Sequence, residues 1–258
     1  MKTVLITYAS DAFAPWQRIC TVTGQRFGFD MCHAFGPEDI EPEFARRHDT
    51  TLQYDRGAGY WLWKPYIVQR VLADLADGDI LVYADAATHF VNPIRPMISA
   101  LDRHSLDLLI LGEGFSEDQY TKRDAFVLMN ADTKPFTQSP QRFASSFMLR
   151  KSGWAVDFAK RYLSCAEDRR ILTDEDNVCG LPNYPGFIAH RHDQSIFSLL
   201  SKQEGVPVVV KGMIVEGLPS RAGQIINHTR SHIAPIDIVK DLMAQNVLSP
   251  HDLPALTS

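Results

Sequence analysis

The sequence predicts an α/β fold with a mostly parallel central sheet and helices on both faces. Two observations lead to this class. Short apolar runs alternate along the first half of the chain with segments whose apolar residues recur at helical spacing. The apolar runs are also continuous, which is typical of parallel strands that are buried on both faces.

The elements of the first half follow one another in strand and helix order. The chain opens with an apolar run, and a segment of mixed polarity at helical spacing comes next. Prolines lie at the starts of several later helices, where a missing N–H costs nothing. The predicted elements are strands over 4–8, 79–84 and 106–111, and helices over 13–27, 42–47, 65–76 and after Pro93.

The second half is less regular, and its pattern predicts strands over 143–149 and 206–210 and helices over 154–163 and 194–202. Residues 165–190 are rich in Asp, Pro, Gly and Asn and are too long for a neutral connector, so we expect a functional loop there. We expect one domain over 1–258, with a nucleotide-binding half over about 1–112, an acceptor and catalytic half over about 113–235 and a C-terminal tail over 236–258.

Composition narrows the classes of function. The net charge is −5 and the basic residues are scattered, which disfavours nucleic acid as a partner. No apolar stretch reaches the ~18 residues of a membrane span, and the first residues do not resemble a signal peptide. We therefore expect a protein of the cytoplasm or of the inner face of the cell membrane. The cysteines lack CxxC spacing and are expected to be reduced thiols: Cys20, Cys32, Cys165 and Cys179.

Lys64 lies among aromatic residues at the start of a predicted helix. Helical spacing through Val68, Val71 and Leu75 predicts that it shares a stripe facing the sheet. A cation at a helix N-terminus is unfavourable unless an anion is shared with the free backbone N–H groups. The glycines after Arg56 permit close approach of a ligand. These features indicate a phosphate, and the alternative is that Lys64 extends outward along a tryptophan.

Asp85 ends the most apolar run of the chain, residues 80–84. It is therefore expected at the carboxyl end of a central strand, where open α/β sheets bind their ligands. A phosphate and a divalent cation held together would explain both Lys64 and Asp85. The alternatives are that Asp85 caps a helix or pairs with a nearby arginine.

Several blocks of the sequence resemble a pattern of bacterial GT-A-type glycosyltransferases associated with surface polysaccharide synthesis. Individually the blocks are weak, but jointly they are fairly specific, and they span most of the chain from Gly57 to Ser231. They are Tyr60-Trp61-Leu62-Trp63-Lys64-Pro65, Gly78-Asp79-Ile80, Tyr83-Ala84-Asp85-Ala86, Thr121-Lys122-Arg123-Asp124, Ala144-Ser145-Ser146-Phe147 and Arg191-His192-Asp193-Gln194-Ser195.

The resemblance implies a GT-A-like, Rossmann-like fold and transfer of a sugar, of the hexosyl class, from a nucleoside diphosphate sugar such as a UDP-sugar. The acceptor would be a saccharide or a lipid-linked glycan, contacted by His190, His192 and Ser146. The residues expected to bind the donor are Thr7, Tyr8, Arg56, Trp63, Lys64, Tyr83, Asp85, Lys122 and Arg230.

The chain departs from the wider family at the second acid of the D-x-D motif, which falls at Ala87. The resemblance places a divalent cation, Mn²⁺ or Mg²⁺, on Asp85. His228 resembles a late histidine of related enzymes that binds diphosphate or metal. It is therefore the candidate for the metal-ligand position that Ala87 cannot fill. Because imidazole suits Mn²⁺ better, we expect Mn²⁺. The alternatives are that lysine and arginine side chains neutralise the diphosphate alone, or that His228 is structural.

Asp193 and Gln194 resemble a dipeptide that retaining glycosyltransferases place beside the anomeric carbon. Gln194 would stabilise an oxocarbenium-like charge and Asp193 would bind hydroxyl groups. Retention is expected because an amide is too weak a base to activate an acceptor. Asp193 or Ser195 could instead cap the helix, and an inverting enzyme would use Asp193 or an acid of residues 174–176 as its base.

Two other functions remain open. One is a nucleotide-sugar-binding module of the same fold without turnover, which the missing acid at Ala87 would explain. The other is a phosphohydrolase with Asp85 as nucleophile, which leaves the tryptophans without a role. The chain lacks G-x-S-x-G, Walker A and an early G-x-G-x-x-G, which disfavours serine hydrolases, NTPases and dehydrogenases. The histidines at 190 and 192 lack the companions of a zinc site.

Overall fold

The computed structural model of the chain describes residues 1–209, 214–216, 224–229 and 232–257. The strands are β1 (Thr3–Tyr8), β2 (Met31–Phe35), β3 (Ile80–Ala84), β4 (Thr88–Phe90), β5 (Leu108–Ile110), β6 (Glu113–Ser116), β7 (Pro140–Arg142), β8 (Ser146–Arg150), β9 (Ile214–Glu216) and β10 (Ile226–His228).

The helices include several single turns. They are α1 (Ala14–Arg26), α2 (Pro42–Arg47), α3 (Asp49–Leu52), α4 (Gly57–Tyr60), α5 (Trp63–Asp74), α6 (Arg95–His104), α7 (Glu117–Tyr120), α8 (Arg123–Leu128), α9 (Lys134–Thr137), α10 (Gly153–Ala166), α11 (Arg169–Leu172), α12 (His192–Gln203), α13 (Pro235–Ala244) and α14 (Leu253–Thr257). Short 3₁₀ turns cover Asp11–Phe13, Pro37–Asp39 and Pro250–Asp252.

The central sheet has the order β2-β1-β3-β8-β5 among the described strands. β1 pairs in parallel with both β2 and β3, whereas β8 is antiparallel to its neighbours β3 and β5. In this sheet, β1, β2, β3 and β5 therefore run in the same direction and β8 runs in the opposite direction. The predicted α/β class is confirmed, and the sheet is mostly but not wholly parallel.

Alternate residues of the strands enter two separate cores, one on each face of the sheet. Ile6 and Tyr83 pack with α5, α10 and α12 on one face. Leu5 and Val82 pack with α1 and α6 on the other. Because both faces are covered, the strands need apolar side chains at every position, which explains the continuous apolar runs of the sequence.

A second sheet, with the order β4-β10-β9, ties the late part of the chain to the end of β3. β4 begins three residues after Asp85, and β10 pairs with it in antiparallel register, so that His228 lies opposite Thr88. Pairing across more than 130 residues thus brings His228 to the carboxyl end of β3. The segment predicted as a tail contains α13 and α14, and Leu242 of α13 packs against Ile19 of α1.

The element predictions are correct for most of the long helices and central strands and wrong at several other places, since β2 and short strands such as β4, β6 and β7 were not predicted. The helix predicted from Pro65 begins at Trp63, and its inward stripe runs through the fully buried Val68 and Leu72, whereas Val71 is partly exposed. Residues 206–209 form no strand, and position 210 lies outside the described residues. β2 was not predicted, because its sequence, MCHAF, has little apolar periodicity and most of its side chains are partly or fully exposed.

The chain makes a left-handed turn directly before α5. Residues 57–61 all have positive φ, between 48° and 92°. Three of them are not glycine, and each such residue costs roughly 1–2 kcal/mol. The turn is held by its own bonds, since the Trp63 indole N–H donates to the Gly57 carbonyl at 2.9 Å and the Tyr60 N–H donates to the Arg56 carbonyl at 2.7 Å.

Gly59 is the residue of this turn that tolerates substitution least. Its φ is +92°, and an added Cβ would lie 2.6 Å from the Leu52 Cα, which is backbone and cannot move aside cheaply. Gly78 offers a matched control, because its φ is +87° but nothing lies within 4 Å of the added carbon.

We expect Gly78→Ala to lower the free energy of unfolding by roughly 1–2 kcal/mol through φ alone. Gly59→Ala should cost about 1–3 kcal/mol more, because overpacking adds to the backbone strain. Urea unfolding followed by circular dichroism measures both. Equal losses for the two variants would show that the packing against Leu52 is not tight.

Candidate functional site

A buried lysine joins two carboxylates at the carboxyl end of β3. The Lys64 ammonium lies 2.6 Å from Asp193 Oδ2 and 3.4 Å from Asp85 Oδ1, and it donates to the Ala144 carbonyl at 3.3 Å. Its side chain is 3% exposed. An ammonium has three donors, so all three are engaged. We call Lys64, Asp85 and Asp193 the charge cluster.

Asp85 has further partners that hold its carboxylate. The Tyr83 hydroxyl donates to Asp85 Oδ1 at 2.6 Å, and His228 Nε2 lies 3.7 Å from Oδ2. Burial raises the pKa of Asp85, but the Lys64 charge and the His228 side chain outweigh it and lower the pKa to about 2. Asp85 is therefore ionised at neutral pH. Within the described part of the chain, Asp85 neither caps a helix nor pairs with an arginine, so neither alternative role is seen there.

Asp193 lies in the first turn of α12, where the helix dipole favours a carboxylate. Its Oδ2 accepts from the Tyr162 hydroxyl at 3.2 Å as well as from Lys64. Burial raises the pKa of Asp193 above its usual range, and the Lys64 charge opposes that effect. Arg191 occupies the N-cap position and no side chain caps the helix, so the capping role considered for Asp193 and Ser195 is wrong.

An aromatic cleft opens beside the charge cluster, at the carboxyl ends of β1 and β3. Its volume is about 380 Å³. Tyr8 and Trp63 stack with their ring centroids 3.8 Å apart and form one wall. Burial raises the pKa of the Tyr8 phenol to about 12, which keeps it neutral. The lining residues are Tyr8, Ala9, Ser10, Phe13, Asp55, Gly57, Ala58, Trp61, Trp63, Tyr83, Asp85, Ala86, Ala87 and His228.

Two more clefts continue from the aromatic one. The junction cleft, of about 170 Å³, shares Trp61 and Asp85 with the aromatic cleft. The polar cleft, of about 350 Å³, shares Arg56 and His190 with the junction cleft. The junction cleft is also lined by Lys64, Ser145, Arg191, His192, Asp193 and Gln194, and the polar cleft by Lys122, Asp174, Glu175, Asp176, Asn177, Asn183, Phe187, Ile188 and Ala189.

The histidines between the junction and polar clefts are neutral and fixed in orientation. His192 Nδ1 donates to the Leu172 carbonyl at 2.8 Å, and Nε2 accepts from Arg56 Nε at 2.8 Å. His190 Nε2 donates to the Ile171 carbonyl at 2.8 Å, and Nδ1 accepts from the Lys122 backbone N–H. Burial lowers the pKa of both rings, that of His192 to about 4. Each ring nitrogen thus has a protein partner.

The structure brings most of the predicted site residues together. Tyr8, Trp63, Tyr83, Asp85 and His228 line the aromatic cleft, and Arg56, Lys64, His190, His192, Asp193 and Gln194 line the junction cleft. Their proposed roles in binding the donor and the acceptor stay predictions.

The remaining predicted residues lie elsewhere. The Lys122 ammonium donates to the backbone carbonyls of Thr173 and Glu175 at the polar cleft. Thr7 is buried and lines none of the three clefts, and neither does Ser146, whose hydroxyl donates to the neighbouring Ser145 carbonyl. Arg230 lies outside the described residues. The predicted donor role of Lys122 would therefore require a ligand that reaches the polar cleft.

Sequence reasoning missed several residues of the site. Trp61, which lines two clefts, was part of the noted motif but was given no role. Tyr162 on α10 is completely buried, and its hydroxyl donates to Asp193. In the sequence, the only indication of this role was a tyrosine among the apolar residues of a predicted helix. The backbone carbonyls of Ala144 and Ser145 accept from Lys64 and Asp85, and no side-chain pattern could reveal them.

Asp85 and His228 form the place where a divalent ion would fit. Their Oδ2 and Nε2 atoms are 3.7 Å apart and face the aromatic cleft. Among the described residues, no group of three or more His, Cys, Asp or Glu side chains could hold a metal. An ion held by these two side chains would take its other ligands from water or from a bound molecule.

Comparison with known proteins gives a structural likeness only. No protein-family model matches the chain, and no curated protein matches it. Among solved structures, the chain is similar to the apo form of mouse xyloside xylosyltransferase 1, with a TM-score of 0.49 and 11% sequence identity over 91% of this chain and 100% of that one. In the part of the chain that the structure describes, no helix has the length and apolar character to cross a membrane.

We expect stability to fall as the pH drops from 7.5 to 5.5. His89, His190 and His192 are at most 2% exposed, and burial lowers the pKa of each, to about 4 for His89 and His192. The unfolded state binds more protons between pH 4 and the ordinary histidine pKa of about 6.5, so the folded state loses about 1.4 kcal/mol per histidine at pH 5.5. Urea unfolding at the two pH values measures the loss.

His89→Leu removes one of these groups and should reduce the loss by about a third. A free energy of unfolding that is the same at pH 7.5 and 5.5 would mean that the histidines are accessible to protons in the folded state.

We expect Lys64→Met to destabilise the protein by about 3–5 kcal/mol, because it leaves the buried Asp193 carboxylate without a counter-ion and takes a close cation from Asp85, whose side chain is 30% exposed. Lys160→Met is the matched control, since that lysine is 58% exposed and, among the described residues, pairs with Asp157 alone. Adding Asp193→Asn to Lys64→Met should restore part of the loss. Thermal and urea unfolding test this, and a Lys64 variant as stable as the Lys160 variant would contradict the buried charge cluster.

Proposed function

We propose that the protein is a glycosyltransferase that moves a sugar from a nucleoside diphosphate sugar to a saccharide or lipid-linked glycan, with retention of anomeric configuration. The observation that carries the proposal is the charge cluster, which lies between an aromatic cleft and a polar cleft. This arrangement offers separate places for a base, a diphosphate, a reacting sugar and an acceptor. We place the reaction in the cytoplasm or at the inner face of the cell membrane.

The nucleoside would occupy the aromatic cleft. Stacked Tyr8 and Trp63, with Trp61 nearby, present flat apolar rings, and aromatic faces bind the flat ring of a base well. A volume of about 380 Å³ lies in the range of small-ligand sites and suits a pyrimidine nucleoside such as uridine.

The diphosphate would lie at the inner end of this cleft, beside Asp85 and His228. These residues would hold Mn²⁺ or Mg²⁺, which would neutralise the charge that develops on the leaving diphosphate. Lys64 would contribute to this site from within the charge cluster. Because its three donors are engaged, it binds a phosphate directly only by releasing one of them, and the Ala144 carbonyl at 3.3 Å is a neutral candidate.

The sugar would lie in the junction cleft, in contact with Asp193 and Gln194. Lys64 and Tyr162 bind Oδ2 of Asp193, which leaves Oδ1 for sugar hydroxyls. The Gln194 amide can stabilise a positive charge at the anomeric carbon through its carbonyl oxygen but cannot act as a base. This pairing favours retention. An inverting reaction would need an acid such as Asp174 or Asp176 of the polar cleft as its base.

The acceptor would enter through the polar cleft. Carboxylates, amides and the Arg56 guanidinium offer both acceptors and donors for hydroxyl groups, and Arg56 and His190 also line the junction cleft. An acceptor bound there would reach the sugar through the junction cleft, and retention requires that its hydroxyl attack the anomeric carbon from the face that the diphosphate leaves.

The proposal is tested by screening nucleoside diphosphates and their sugars for thermal stabilisation, and then by measuring nucleotide release with Mn²⁺ present. We expect a nucleoside diphosphate sugar to bind and to release its nucleotide. Asp193→Asn should keep nucleotide affinity while lowering the release rate roughly 100-fold, because it removes a charge that acts on the sugar. NMR of the anomeric proton of the product should show the configuration of the donor.

Each other result has a defined meaning. Nucleotide binding without release would favour the binding module over the enzyme, and the absence of nucleotide binding would overturn both. An inverted product would shift catalysis to an acid of the polar cleft. Full release in excess EDTA would remove the cation from the proposal and leave the cationic side chains to neutralise the diphosphate.

A further inference from the structure

Gln194 is bound at both ends of its amide. Its Oε1 accepts from the Ala144 backbone N–H at 3.3 Å, and its Nε2 donates to Gln141 Oε1 at 2.8 Å. The side chain lines the junction cleft. These two bonds leave one Nε2 hydrogen and one Oε1 lone pair for a ligand in that cleft. Gln141 and the Ala144 N–H together set the direction of the amide, and that direction decides where the remaining hydrogen and lone pair lie in the cleft.

Gln141 lies in β7, is completely buried, and can adopt only one orientation. Its Nε2 donates to Glu117 Oε1 at 2.9 Å, and the Tyr120 carbonyl and the Thr121 hydroxyl lie at 3.2 and 3.1 Å. The Thr121 hydroxyl itself donates to Glu117, so it offers Gln141 a lone pair. If the Gln141 amide were flipped, its oxygen would face the oxygens of Glu117, Tyr120 and Thr121, and no hydrogen atom would lie between them to form a hydrogen bond.

The sequence of bonds begins at a buried ion pair. Glu117 is completely buried, and its Oε2 accepts from the Lys202 ammonium and the Ser198 hydroxyl. A carboxylate only accepts hydrogen bonds, so the NH₂ group of Gln141, and not its oxygen, must point towards Glu117. The oxygen of Gln141 then points towards Gln194, and the NH₂ group of Gln194 donates a hydrogen bond to it. The donor and acceptor roles are therefore fixed in one direction from Lys202 to the cleft.

We infer that Lys202, Glu117 and Gln141 form a positioning chain that holds the Gln194 amide in the one direction that serves the reacting sugar. The inference rests on the proposed function for the identity of the ligand. A buried ion pair is a costly way to gain stability alone, because apolar residues of similar volume do as well. An apolar replacement could not supply its polarity, whereas a carboxylate, which only accepts hydrogen bonds, helps to set the direction of two successive amides.

Gln141→Met tests the chain, because it keeps the volume and removes the hydrogen bonds. Gln203→Met is the control: Gln203 lies on α12, as Gln194 does, and its amide donates to a backbone carbonyl, that of Met129. We expect kcat for nucleotide release to fall roughly tenfold or more in Gln141→Met, since small displacements of a positioned group are costly. The affinity for the nucleoside diphosphate and the kcat of the control should stay unchanged.

A double-mutant cycle separates positioning from a general loss of structure. If Gln141 acts through Gln194, then Gln141→Met causes no further loss of kcat in a Gln194→Ala background. Equal losses in both backgrounds would overturn the inference, and so would an unchanged kcat in Gln141→Met. If Gln141→Met does not fold, Glu117→Gln with Lys202→Met removes the fixed polarity in another way and should give the same pattern.

A measurement without turnover distinguishes this inference from the proposed function. Selective ¹⁵N labelling of glutamine reports the side-chain amide of Gln194 directly. We expect its protons to exchange faster with water in Gln141→Met and to stay protected in Gln203→Met. Unchanged protection would overturn the positioning chain even in an active enzyme. Loss of protection in a protein that releases no nucleotide would uphold the chain and refute only the proposed function.

Discussion

The site depends on one buried ammonium that two carboxylates share. Lys64 lies in the first turn of α5, Asp85 follows β3, and Asp193 lies in the first turn of α12, so a single cation connects three elements that meet only in the folded chain. Removing such charges from water is expensive, and close partners on every donor offset that cost. The cluster therefore holds the strand end, both helix starts and the floor of the junction cleft in a fixed relation.

The surrounding structure places ligand-binding surfaces on either side of this cluster. The left-handed turn of residues 57–61 brings Trp61 to the boundary of two clefts and aims Trp63 at Tyr8. Strained backbone of this kind persists only where neighbouring contacts over-determine it, and it is concentrated at binding sites. β10 positions another residue of the aromatic cleft, because its pairing with β4 brings His228 close to Asp85.

Local patterns in the sequence predict part of this arrangement. Continuous apolar runs predict the central strands, and helical spacing places Lys64 on the inward side of α5, where it is indeed buried. The position of Asp85 after β3 follows from the same reasoning. The pairing of Lys64 with Asp193 does not, because it joins residues 129 positions apart that no local periodicity relates. The antiparallel direction of β8 and the contacts of Gln141 are likewise products of tertiary packing. In the sequence, the only indication of the left-handed turn was the pair of glycines at 57 and 59.

The measurement that tests the site most directly is a crystal structure with a nucleoside diphosphate and Mn²⁺, with the ion located by its anomalous scattering. We expect the base against Tyr8 and Trp63, and the ion between Asp85, His228 and the diphosphate, with Lys64 still bound to Asp193. A nucleotide in the polar cleft, or an ordered diphosphate whose ion does not touch Asp85, would contradict the assignment of the aromatic cleft and the charge cluster as the donor site.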